Sequence, residues 1–259
     1  MNKEKLKNMV QDPKFISGIY NYCDRWCERC PFTFRCLNYA MGEEDKDDPT
    51  GHDIKSEDFW EKVEESLELA TELLEEMARE QGIDLNEIDA EEINQEQERS
   101  REAAESHDLS QSANQYADMV DSWFESNQAI FQQRQQDLTT ELEIGIGEKH
   151  LYEEAESIVE ATEVIHWYQH QIYVKLMRAL TQPERDVYED EIQNDSNGSA
   201  KVALIGIGRS IGAWGKLIEH FPEQSDNILD ILLHLDRLRK RTEITFPHAQ
   251  AFKRPGFDD

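Results

Sequence analysis

The chain has 259 residues and a formal net charge of −29, with 27 Lys and Arg set against 56 Asp and Glu. That length can bury a substantial core in one large or two modest domains. A field of this sign repels phosphate backbones and anionic headgroups, which excludes nucleic acid and membrane surfaces as expected partners and favours a basic protein.

The charge is uneven. Residues 1–40 hold seven basic and four acidic side chains, a balance of +3 that leaves −32 for the remainder. No apolar run reaches the roughly 20 residues of a membrane span. The N-terminus, MNKEKLKNMVQDPK, has lysines but no hydrophobic stretch of the secretory kind. A cytoplasmic location is the expectation, and thiols there stay reduced.

Taken in chain order, residues 1–41 form a cysteine-rich segment that contains all four cysteines of the chain. Residues 42–55 read as an acidic linker. Ser56 then has the character of an N-cap, with Glu57 and Asp58 in the first turn behind it. Phe59, Val63, Leu67, Ala70, Leu74 and Met77 follow at helical spacing, and Gly82 marks a stop. Residues 83–108 are acidic and poor in large apolar side chains, the composition of an exposed helix or a flexible connection.

From Leu109 a further amphipathic segment carries Tyr116, Val120, Trp123, Ile130 and Leu138 and ends at the Gly-Ile-Gly of 145–147. The next helix is predicted from Glu148 to Leu180, closed by Pro183. PERDVYEDEIQNDSNGS reads as a polar loop. Helices are predicted from Lys201 to Phe221 and, with Ser225 as cap, through Ile228, Leu232, Leu235 and Leu238. The tail 242–259, with two prolines and three phenylalanines, is expected to lie extended. Alternating β-branched runs are nearly absent. The fold class is therefore all-α: a bundle of about five long helices over 56–241 with a small cysteine-ligated segment in front.

Cys23, Cys27, Cys30 and Cys36 give the run C-x3-C-x2-C-x5-C. On a helix the first three share a face, and Pro31 turns the chain so that Cys36 returns as a fourth ligand. Four soft thiolates suit an iron–sulfur cluster or zinc. Structural zinc favours two separated Cys-x-x-Cys knuckles, whereas compact runs with a proline beside a ligand are a habit of iron–sulfur proteins. The first three positions also match the spacing of radical-SAM enzymes, but no strand series is present to build their barrel. Arg25, Arg29 and Arg35 are expected to lower the thiol pKa values. Tyr20, Tyr22, Trp26, Phe32, Phe34 and Tyr39 are expected to shield the site.

Glu163, His166 and His170 fall on one face of the 148–180 helix, beside Glu156 and Glu160, in a pattern able to hold zinc, iron or manganese. The Glu163-x-x-His166 unit resembles the ligand motif of ferritin-like di-iron proteins, which implies a metal-dependent oxidoreductase. That family uses two such motifs and two further glutamates, whereas here Glu-x-x-His occurs once. Val159, Trp167, Val174 and Met177 on the same side suggest a helix covered all round. In LIGIGRSIGAWG, Gly208, Gly212 and Gly215 share a face and imply close packing rather than a phosphate loop, with Arg209 and Trp214 beside them.

The expected function is electron transfer or redox sensing by an iron–sulfur cluster, [4Fe–4S] ahead of other types. The alternatives are a zinc-stapled acidic scaffold for protein interaction and the ferritin-like oxidoreductase.

Overall fold

The structure, a computed structural model, describes residues 3–44, 53–85, 89–145, 147–181 and 190–258. Among them are α-helices and short 3-10 turns, and no strand. The helices are α1 (Lys3–Gln11), α2 (Leu37–Glu44), α3 (Glu57–Gln81), α4 (Ala90–Ser106), α5 (Asp108–Ser126), α6 (Gln128–Glu143), α7 (Glu148–Leu180), α8 (Asp195–His220) and α9 (Ser225–Thr245). None of the described helices is long and apolar enough to cross a membrane. Most of the linker expected over 42–55 lies outside the described residues, as does Pro183. The chain divides into two compact units, 1–97 with 254–259, and 98–253.

In the second unit α7 packs on α5 and α8, and α9 packs on α8 and α5, so these four helices surround a common core. Arg178 of α7 meets Asp195 at the start of α8, and Ser157 meets His220 at its end, so the two helices run antiparallel. The core has the composition that their stripes promise. Ile165, Ile172, Leu176, Ile207, Leu217, Ile228, Leu235 and Leu238 are all nearly or fully inaccessible. Each such side chain contributes about 1.5–3 kcal/mol relative to exposure.

Three boundaries differ from the sequence reading. The amphipathic run from Leu109 to Gly145 breaks at Asn127. This residue takes φ −116° and ψ 15°, and its side-chain amide donates to the carbonyl of Trp123 at 2.8 Å. Asparagine competes in this way with the helical ladder, and the chain restarts as α6. α8 begins at Asp195 because Asn194 accepts from the Asn197 amide at 2.9 Å, a capping bond hidden inside an apparently polar loop. α9 begins at Ser225, whose hydroxyl donates to the Pro222 carbonyl at 2.5 Å instead of capping.

The tail also departs from a simply extended strap. Ala249–Ala251 form a 3-10 turn, Ala249 and Phe252 are buried, and Lys201 donates to the Phe252 carbonyl at 2.5 Å. Within the acidic stretch 83–108, Asp89 accepts the amides of Glu91 and Glu92 and starts α4.

In the first unit, α3 has the predicted ends. Ser56 accepts from the Phe59 amide at 3.3 Å, and Gly82 closes the helix at φ 69°. Of its predicted apolar stripe only Phe59 and Val63 are half-buried, whereas Leu67, Leu74 and Met77 are each more than half exposed, so most of the stripe is not the bundle face expected of it. Lys3 and Lys7 of α1 both reach Glu76 of α3. Residues 254–258 complete this unit. Phe257 meets Phe32 edge to face at 5.0 Å, and Gly256 at φ 75° approaches Ile16 so closely that a Cβ would lie 2.7 Å from its Cδ1.

Candidate metal centre

The cysteine segment is built from turns, and this corrects the expectation of a shared helical face. Asp24 accepts the amide of Trp26 at 3.3 Å, and Arg25 adopts φ 58°, the single non-glycine positive φ among the described residues. These two features stop a helix before Cys27. Cys27–Arg29 then form one 3-10 turn, closed by the Cys30 amide on the Cys27 carbonyl at 3.1 Å. Cys30 is extended at ψ 123°, as the residue before proline must be. A second 3-10 turn, Thr33–Arg35, delivers Cys36.

All four thiols are half-buried, and none forms a disulfide. The Cys30 sulfur accepts the Phe32 amide at 3.4 Å, and the Cys23 thiol donates to the Tyr20 carbonyl at 3.5 Å. Burial pushes the Cys27 thiol up, and the charges of Cys23, Cys30, Cys36 and Glu28 add to the rise. Cys30 is also raised, chiefly by burial and then by Cys23, Asp24 and Cys36, against the lowering effect of the Phe32 amide. Each of these thiols therefore feels its neighbours. The lowering expected from the arginines does not decide the sign. Arg29 stacks over the Trp26 ring at 4.1 Å, and Arg35 donates to the Lys14 carbonyl.

Gathering is not closure. Among the described residues, no group of three or more His, Cys, Asp or Glu is arranged to hold a metal ion. Cys27 and Cys30 each feel the charges of neighbouring thiols. The aromatic cover is also partial, since Phe34 is 66% exposed.

On α7, Glu163, His166 and His170 share an exposed side of the helix. His166 has other engagements: its Nδ1 lies 2.9 Å from the Thr162 carbonyl, and its ring is 4.4 Å from that of Phe124. The opposite stripe, Ile158, Ile165, Ile172 and Leu176, is buried as read, whereas Val159 and Val174 are each 56% exposed. Trp167 and Met177, on the same side as these valines, are half-buried, so α7 is covered there only in part, and the expectation of a helix covered all round does not hold at Val159, Glu163, His166, His170 or Val174.

The glycine reading is corrected in the same way. A Cβ at Gly208, Gly212 or Gly215 would meet nothing within 4 Å, whereas one at Gly206 would lie 2.9 Å from Cδ1 of Tyr168. Gly206 is the glycine that packing requires. Trp214 is a core residue with its indole N–H on the Tyr116 hydroxyl at 3.3 Å, and Arg209 donates to the Tyr168 hydroxyl.

Sequence reasoning missed a cluster that α6, the first turns of α7 and the end of α8 build together. Arg134 donates to both carboxylate oxygens of Glu154 at 2.7 Å, His220 Nδ1 lies 3.8 Å from the same carboxylate, and His220 Nε2 is 2.9 Å from the Ser157 hydroxyl. Arg134, Glu154 and His220 line a cleft of about 910 Å³ together with Asp137, His150 and Glu153. Nothing in the local spacing announces it, because the members come from three helices.

Comparison with protein-family models, with curated proteins and with solved structures finds no match.

Proposed function

We propose that this chain is an acidic helical metalloprotein in which Cys23, Cys27, Cys30 and Cys36 hold an iron–sulfur cluster, [4Fe–4S] in the first instance, for electron transfer or redox sensing. The observation that carries this reading is that all four cysteines of the chain, half-buried and free of disulfides, lie within the fourteen residues from Cys23 to Cys36. Like charges gathered in a half-buried segment oppose one another's ionisation, and a soft cation among them removes that cost. Loading would release protons from thiols that are otherwise held protonated. The reading includes a reducing, cytoplasmic setting. It also includes a basic protein partner and no nucleic acid, in keeping with the net charge of −29.

A second reading is zinc, used to staple the N-terminal segment of a scaffold that catalyses nothing. The Cys27–Cys30 turn favours it, because a tight Cys-x-x-Cys turn with an amide on the second sulfur suits one half of a small zinc site.

The deciding experiment is metal and acid-labile sulfide content, with a visible spectrum, on full-length protein purified without oxygen. Iron and sulfide in equal amounts, with brown absorbance lost in Cys30→Ser, support the cluster. One zinc per chain in a colourless solution selects the staple. Protein with neither metal, and with unchanged folding in Cys27→Ser, removes both readings.

A further inference from the structure

We infer that α3 is a self-association helix: the stripe of Trp60, Val63, Leu67, Ala70, Leu74 and Met77 pairs with the same stripe on a second copy of this chain.

Spacing is the first ground. Trp60, Leu67 and Leu74 recur every seven residues, with Val63, Ala70 and Met77 between them, which is the a/d repeat of a coiled-coil seam. Exposure is the second. Trp60 is 60% exposed, Leu67 63%, Leu74 64% and Met77 53%, so the described residues of the chain leave this seam largely uncovered. The half-buried side of α3, which carries Phe59, Leu69, Leu73 and Glu76, where Lys3 and Lys7 reach Glu76, adjoins the seam and shares half-buried Val63 with it. A continuous apolar stripe of this length on an otherwise acidic helix marks an interaction surface.

Charge identifies the occupant. α3 carries ten acidic and two basic residues, and the positions that border the seam are Phe59, Ser66, Leu73 and Glu80 on one edge and Glu57, Glu64, Thr71 and Ala78 on the other. Three of these eight are acidic, Glu57 and Glu80 at the ends of the helix and Glu64, whereas the central ones, Ser66, Thr71 and Leu73, are uncharged. Glu61, Glu68 and Glu75, with Asp58, Glu65 and Glu72, occupy the outward positions and are exposed. A helix built to receive a basic partner carries its acids on the seam's borders, where interhelical ion pairs form. This helix keeps seven of its ten acids off the borders and leaves the central borders uncharged, which limits the close like-charge pairs that two identical acidic helices would otherwise make. A two-fold pair of α3 helices is the self-complementary solution. Because the seam is short, association in the micromolar range is expected.

The remaining acids still repel one another at longer range, and salt screens that repulsion. Self-association through α3 therefore tightens as salt rises, whereas docking of a basic helix weakens.

The test is sedimentation velocity of the full-length protein from low micromolar to about 200 µM, at about 0.05 and 0.5 M salt. A concentration-dependent dimer, strengthened severalfold by salt and weakened at least tenfold in Leu67→Glu/Leu74→Glu, is the expected result. The control Leu229→Glu/Leu233→Glu, on the exposed side of α9, should leave the dimer intact. Far-UV circular dichroism checks that both variants keep their helix content. Hydrogen exchange of the wild type gives a reading free of mutation, since α3 amides should gain protection as concentration rises. A chain that stays monomeric throughout, a dimer indifferent to the α3 pair, or a dimer lost in the α9 control overturns the inference.

Discussion

The indole N–H of Trp214 donates to the hydroxyl of Tyr116 at 3.3 Å, and both side chains are fully inaccessible. A phenol in this position is held protonated. Burial pushes the Tyr116 pKa from 10.0 up to about 12 against the opposing hydrogen bonds. In the unfolded chain the phenol loses its proton near 10, while in the fold it keeps it to about 12. Between those values the unfolded state binds fewer protons, so stability falls as pH rises. The contribution is fully present below pH 10 and amounts to about 2–3 kcal/mol. Tyr116→Phe should therefore cost about 1–3 kcal/mol at neutral pH, because Trp214 loses its acceptor, and should flatten the alkaline loss. Urea midpoints of both proteins across the alkaline range check this. Parallel pH curves would show that Tyr116 does not titrate as described.

Gly206 and its neighbours on α8 give a pair of opposite expectations. A Cβ at 206 would lie 2.9 Å from Tyr168 and 3.2 Å from Ile172, both ring and branched carbon being locked in the core. Gly206→Ala should destabilise by about 1–3 kcal/mol. Gly208 and Gly212 are exposed and have open space where a Cβ would go. Alanine there should stabilise by about 0.5–1 kcal/mol each through helix propensity. Thermal melts of the three single variants separate the two cases. A stabilised Gly206→Ala would refute the close approach of α7 and α8 at this point.

The thiols offer a test that does not depend on which metal binds. Burial and neighbouring thiols raise Cys27 and Cys30, so with no metal present both should alkylate slowly at neutral pH. Mass mapping of iodoacetamide labelling should place their pH midpoints above the ordinary thiol value. In the Cys23→Ser/Cys36→Ser background the Cys27 midpoint should fall, since two of the groups opposing its ionisation are gone. An unchanged midpoint would mean that the four thiols do not share a field.

How much of this was legible beforehand depends on the range of the interactions. The ends of α3 and α7 are local matters of capping residues and glycine, and Ser56, Gly82 and Leu180 lie where periodicity puts them. The Asn194 cap is equally local but concealed, because DSNGS looks polar until its residues prove buried. Which stripes find partners is a non-local question. Ile165 and Leu67 look alike in sequence, yet the first is inaccessible and the second 63% exposed. The cysteine spacing read on a helical wheel fails because Asp24 and Arg25 turn the chain before Cys27. The cluster at Arg134 was invisible, since its members are separated by up to 86 positions, from Arg134 to His220.

That cluster supports the remaining prediction. Arg134 meets Glu154 through two parallel bonds at 2.7 Å, the strong bidentate form, and reaches Glu141 at 3.4 Å. The Glu154 side chain is 13% exposed and that of Arg134 26%, so solvent screens the pair only in part. Removing the arginine leaves a carboxylate with His220 at 3.8 Å as its nearest replacement partner. Arg134→Met should cost about 2–3 kcal/mol, and Glu154→Gln somewhat less because the amide can still accept from the guanidinium. The double variant should be less damaging than the two losses combined, with a coupling of about 1–2 kcal/mol. Urea midpoints of the three variants complete the cycle. Losses that add to within about 0.5 kcal/mol would mean that the pair is a surface contact with no part in joining α6 to α7.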